Sequence, residues 1–256
     1  MRLHIKYLIL LILIPLTLFA QEEERERLFV KANSYYSSEQ YSLALDLYEE
    51  IAETGRISFE LYYNMGNCYY RLGQTGQAIR YWEKAKRIRP RDTQVNHNLA
   101  LARLRITDKM VLPEAFFPIQ LWWDLRDMLG ASFSFRLSGY FLMSGLILFF
   151  ISRKLYKKRW LKRLSNPLIL LISILFIISL SLSLHTRHYD KTHHFGILLN
   201  KEVEVKSAPQ EAANTLFMLH EGSKVRILDK AGTDWVEVSY YDDKVGWIKQ
   251  NQIGDI

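Results

Sequence analysis

Apolar residues along this chain keep three different periods. Between Arg25 and Ile106 they recur at i, i+3, i+4 and i+7 in short segments broken by glycine or proline, which predicts packed amphipathic helices. From Phe133 to Ile151 and from Pro167 to Leu184 the chain is almost continuously apolar, over 19 and 18 residues. As helices these runs reach about 28 and 27 Å, near the ~30 Å of a bilayer's hydrocarbon. Arg136 is the only charge in either, and it stands close enough to one end to reach the interface. In the last 60 residues the segments EVEVKS, KVRILDK, WVEVSYY and VGWIKQ alternate apolar and polar positions between turn formers such as Ala208-Pro209, Glu221-Gly222 and Ala231-Gly232. The fold class predicted is multidomain: an all-α helical array, a two-helix transmembrane hairpin and a small all-β barrel.

The most informative stretch is residues 59–92. Counting Phe59 as position 1, large side chains stand at Tyr62, Met65, Tyr69 and Trp82, small ones at Gly66, Ala78 and Ala85, and a proline at Pro90. Small residues let two antiparallel helices approach, large ones fill the space around the crossing, and the proline stops the second helix. An ordinary helical hairpin needs no small residues at fixed offsets. This spacing resembles the tetratricopeptide repeat. Thirty-four residues upstream, from Arg25, the same positions hold Leu28, Ala32, Tyr35, Ala44 and Tyr48, with Lys31, Ile51 and Arg56 departing from the pattern. Downstream, residues 93–106 supply one further first helix with Leu99 and Ala100, and Pro113 and Pro118 interrupt any partner. Repeats are therefore expected over 21–106, as 25–58, 59–92 and a capping helix 93–106.

In such arrays the first helices line a concave groove. The positions that would face it hold Phe29, Asn33, Tyr36, Tyr63, Asn64, Asn67 and Tyr70. An amide there can both donate to and accept from a bound peptide's backbone. Asn33 and Asn64 stand where some family members use asparagines to grip a terminal carboxylate, but Phe29, Gln94 and Asn98 occupy the places of the basic residues that clamp also needs. A groove for an internal segment or an apolar helix stays open, as does a merely solvated face.

Charge changes the picture only locally. The formal net charge is +7, and the stretch Ser152–Ser165 holds seven cations with no acid, which accounts for the whole excess. A nucleic-acid footprint is not indicated. By the positive-inside rule the loop 152–166 is cytoplasmic, between spans at 133–151 and 167–184, with the repeats and the barrel on the opposite side. Residues 1–20, with Arg2 and Lys6 before an apolar run ending in Ala20, read as a secretory signal peptide, cleaved or retained as an anchor. The layout is that of a bacterial inner-membrane protein with periplasmic domains. Within 107–132, Phe116, Phe117, Trp122 and Trp123 suit a helix lying on the membrane, or one packed under the repeats. Residues 185–196 read as a linker; His185, His188, His193 and His194 lack the spacing of a metal site.

The segment 197–256 resembles the bacterial SH3-like (SH3b) family through VEVKSAP, LHEGSKVRIL, DWVEVSY and VGWIKQNQI. The resemblance implies recognition of cell-wall peptides or protein segments. Trp235 is expected to fill the barrel; Trp235, Tyr240, Tyr241 and Trp247 are candidates for core or ligand surface. No phosphate loop, zinc-protease helix, EF-hand or nucleophile elbow is present. Cys68, the one cysteine, sits on a packed repeat face. No catalytic residue, metal or cofactor is assigned, and no enzyme is expected. The order of modules resembles the BatE-type proteins of the aerotolerance (Bat) system. That resemblance implies a scaffold acting with von Willebrand factor A-type membrane proteins in envelope integrity and oxidative stress tolerance; the alternative is a wall sensor binding peptidoglycan through its SH3b domain.

Overall fold

The computed structural model describes residues 21–108, 116–154, 159–232, 234–240 and 244–256. The expected signal peptide, Tyr241, Lys157 and Lys158 of the basic loop, and 109–115 of the juxtamembrane stretch lie outside them. Five antiparallel helices come first: α1 (21–37), α2 (Tyr41–Glu53), α3 (Phe59–Arg71), α4 (Thr75–Ile88) and α5 (Thr93–Arg105). Side-chain caps start two of them. Ser58 Oγ accepts from Leu61 N at 3.1 Å, and Asp92 Oδ1 accepts from Gln94 N and Val95 N at 3.0 Å each. Their core holds Ala32, Ala44, Tyr48, Met65, Ala78, Trp82 and Ala85, none more than 2% exposed. At the crossing of α3 with α4 a Cβ on Gly66 would come within 2.5 Å of the Trp82 ring, so no larger residue fits there.

Helix α6 (Phe117–Lys154) and helix α7 (Arg159–Thr192) form an antiparallel hairpin, and both are long and apolar enough to cross a membrane. Serines and a threonine line their contact: Ser134, Ser138, Ser179, Ser183 and Thr186 are buried, and Ser183 Oγ donates to Ala131 O at 2.9 Å. Small side chains at the seam turn the large ones, among them Phe150, Leu170 and Ile177, outward. Glycine breaks α6 at Gly130, where φ is 66° and ψ is 165°. The sequence expectation of a separate basic loop at 152–166 and a linker at 185–196 is corrected here. Helix α7 already contains residues 159–166, and it runs on to Thr192, one residue before the first strand.

Seven antiparallel strands follow: β1 (His194–Leu198), β2 (Glu202–Lys206), β3 (Thr215–His220), β4 (Lys224–Ala231), β5 (Trp235–Tyr240), β6 (Lys244–Lys249) and β7 (Ile253–Asp255). They pair in the order β3-β2-β6-β5-β4-β1-β7. Leu219 of β3 and Ile253 of β7, from opposite ends of that order, share one core with Val203, Val205, Val236, Val238 and Ile248. The sheet is therefore rolled up, as in an SH3-like barrel.

The barrel does not hang free of the repeats. Strands β1 and β7 and the β3–β4 turn stand against α4. A Cβ on Gly76 would meet Leu198 O at 2.5 Å, and Gly76 N donates to Glu221 Oε1 at 2.6 Å. Glu83, 6% exposed, accepts from Arg103 Nη2 at 2.7 Å and from Lys224 Nζ at 3.1 Å. Asp108 takes bonds from His220 N (2.6 Å) and Ser223 Oγ (2.7 Å). The buried charge of Glu83 is stable there because each of its carboxylate oxygens has a donor.

Candidate functional site

The concave face of the repeats is built by α1, α3 and α5, and its polar side chains form one arrangement twice. Tyr48 Oη donates to Asn33 Oδ1 at 2.6 Å, and Asn64 Nδ2 donates to the same oxygen at 3.1 Å. Thirty-four residues on, Trp82 Nε1 donates to Asn67 Oδ1 at 3.1 Å, joined by Asn98 Nδ2 at 3.2 Å. Indole nitrogen can only donate, so the Asn67 amide must turn its oxygen inward. Its NH2 group is left facing away, and neither Asn33 Nδ2 nor Asn67 Nδ2 has a partner among the described residues.

Next to the second network lies a cavity of about 260 Å3, lined by Tyr36, Tyr63, Asn67, Tyr70, Arg71, Trp82, Asn98 and Leu101. Of the residues expected to face a groove, Tyr36, Tyr63, Asn67 and Tyr70 are thus brought together. Phe29, Asn33 and Asn64 are not at this cavity. Phe29 packs on Tyr48, with ring centroids 5.7 Å apart, and the two amides belong to the first network. Sequence reasoning missed Arg71 and Leu101 as lining residues, and read Trp82 and Asn98 in other roles. Asn98 carried a signal, standing one period after Asn64.

This surface offers amide donors, tyrosine faces and one guanidinium, with Arg71 Nε donating to Tyr41 Oη at 2.9 Å. Burial pushes the Cys68 thiol up to about 12, far from a reactive thiolate. Among the described residues no three His, Cys, Asp or Glu side chains gather as metal ligands. His185 instead accepts from Trp122 Nε1 at 3.3 Å, and His193 stacks on Tyr189 at 4.1 Å.

The barrel corrects one expectation. Trp235 and Trp247 are half-buried and absent from its core, because Val236, Val238 and Ile248 take the inward register and their neighbours must face out. Tyr240 does lie inward, 6% exposed, and its hydroxyl donates to Asp108 O at 3.3 Å across the contact with the repeats.

Two segments match known families. Residues 59–92 match the tetratricopeptide repeat, and residues 201–252 match the bacterial SH3 domain. Among solved structures the chain is similar to the Sgt2 TPR domain from Aspergillus fumigatus, at 21% identity and a TM-score of 0.30, over 41% of this chain and 62% of that one. It therefore spans less than two thirds of that domain. It is also similar to YrrB, a TPR protein with an unusual peptide-binding site, at 16% identity and a TM-score of 0.30, over 63% of this chain and 73% of that one. No curated protein matches the sequence. The architecture is a tetratricopeptide-like helical array, two long apolar helices and an SH3-like sheet.

Proposed function

We propose that this chain is a non-catalytic, membrane-anchored adaptor that holds a segment of a partner protein in the concave face of its repeats. The duplicated amide network carries the reading. It fixes Asn33 and Asn67 by their oxygens and leaves two NH2 donors one repeat apart, that of Asn67 beside a tyrosine-lined cavity suited to a peptide's carbonyls and apolar side chains. The resemblance in module order to BatE-type proteins supports a Bat complex in the bacterial inner membrane, with periplasmic domains, von Willebrand factor A-type membrane partners and a role in envelope integrity under oxidative stress. In-cell crosslinking, purification of the full chain in mild detergent and mass spectrometry test it. Tyr36→Ala with Tyr70→Ala alters the cavity wall while leaving the internal amide bonds in place. Loss of a membrane protein partner from that variant, with an unchanged melting temperature, is the expected result; full recovery counts against the groove.

A second reading has an observation of its own. Trp235 and Trp247 are diagonal neighbours on the outer face of β5 and β6, and Leu216, Met218 and Val245 are exposed on β3 and β6, away from the edge that meets α4. Such a face suits peptidoglycan peptides. Sedimentation of the detergent-purified chain with cell wall, abolished by Trp247→Ala, is its expected outcome; sedimentation that survives this change sinks it.

A further inference from the structure

Between the repeats and the kink of α6 there is a pocket of about 420 Å3, lined by Lys86, Pro90, Arg91, Asn96, Asp127 and Met128. We propose that it holds the phosphate of an anionic phospholipid headgroup. The inference concerns a different site from the groove and rests only on the hairpin crossing a bilayer.

Three observations carry it. The first is position. Ser183 Oγ bonds Ala131 O, so the pocket at Asp127–Met128 is level with the end of the uncharged run of α7, where headgroups begin. The second is charge. Lys86 and Arg91 both line the pocket, and neither is within 4.0 Å of a carboxylate among the described residues. The one acid in the lining, Asp127, is bonded to Arg126 at 2.8 Å. Neither cation is in an ion pair with a described residue, Lys86 acting on Glu83 only at longer range, and at a membrane surface two such cations attract a phosphodiester monoanion more than a zwitterion. The third is construction. Arg91 is held by stacking over Phe133, 3.7 Å from the ring centroid, at the start of the apolar span. Gly130, with its positive φ, brings the helix against Pro90, which a Cβ would approach to 3.1 Å. Arginines on aromatic faces continue around the same end of the hairpin, with Arg126 over Tyr189 at 4.1 Å and Arg187 over Phe135 at 5.1 Å. Lys86 and Arg91 are the two cations that share this pocket.

The test is native mass spectrometry of the full chain released from nanodiscs of equal phosphatidylglycerol and phosphatidylethanolamine. Retention of phosphatidylglycerol is expected, falling about tenfold in Lys86→Gln with Arg91→Gln, the loss of roughly one charge-assisted contact. Arg187→Gln, which removes the same kind of charge outside the pocket, is expected to retain the lipid. Equal retention of the two lipids, or equal loss in Arg187→Gln, would overturn the pocket and leave only a generally cationic belt. Displacement of the lipid by millimolar glycerol phosphate would overturn a lipid source in favour of a free phosphate. A chain that does not enter nanodiscs refutes the membrane-spanning hairpin instead, and so fails separately.

Discussion

The two repeats solve one packing problem with different residues. In the second, a tryptophan at the crossing forces its neighbour down to glycine; in the first, Tyr48 leaves room for the methyl of Ala32. Both aromatics send their polar atom to the equivalent asparagine of their own repeat, from an oxygen to Asn33 in one and a nitrogen to Asn67 in the other. The turn between helices differs too. Gly73 sits at φ 78° between α3 and α4, and one period earlier Glu39 is held at φ 61°, where an L side chain is strained. The repeat is therefore a set of coupled volumes and dihedrals, and a residue can be exchanged only together with its partner.

That coupling can be broken. Gly66→Ala drives a methyl into a ring that is 2% exposed and cannot retreat, and should cost about 3 kcal/mol in chemical denaturation. Adding Trp82→Tyr recreates the first repeat's pair and should recover more than half of that loss; no recovery would mean that the crossing is not what sets the glycine. Glu83→Gln, at the seam with the barrel, should cost about 2 kcal/mol at neutral pH. Burial raises the Glu83 carboxyl, but Lys224, Arg103 and Lys86 outweigh it and hold it at about 2, below an ordinary 4.5. A depressed pKa stabilises fully above the unfolded value, so the stabilisation is lost as pH falls from about 4.5 towards 2. The variant should flatten melting temperature against pH across that window. Tyr48→Phe and Trp82→Phe should each cost about 1 kcal/mol, the first only through the hydroxyl's hydrogen bonds with Asn33 and Asn64. Of similar size but opposite in sign, Glu39→Gly should stabilise by about 1 kcal/mol in the same denaturation experiment by relieving the turn.

The repeats were legible because their contacts are local. Gly66 and Trp82 are 16 residues apart, and the offset itself names the partner. The two long apolar helices and the strands were legible from period alone. The docking of the barrel was not, since Gly76 and Glu83 meet Glu221 and Lys224 across more than 140 residues, and nothing in their spacing announces it. The tryptophans of β5 and β6 misled for another reason. Size suggested a core role, whereas the alternation WVEV already placed Val236 and Val238 on one face and Trp235 on the other. The break at Gly130 and the continuity of α7 past His185 depend on tertiary packing, so residues 185–196 carried polar composition but no boundary.

Helix α7 has a mechanical consequence. It is 34 residues long, about 50 Å at the rise of an α-helix, and only His193 separates it from β1, which is bonded in turn to β4 and β7 and leans on α4. A rod joined to a plate without a hinge transmits torque. Any twist or piston stroke of α7 arrives at the outer layer of the repeats without slack to absorb it, so the apolar hairpin and the helical array turn as one shaft.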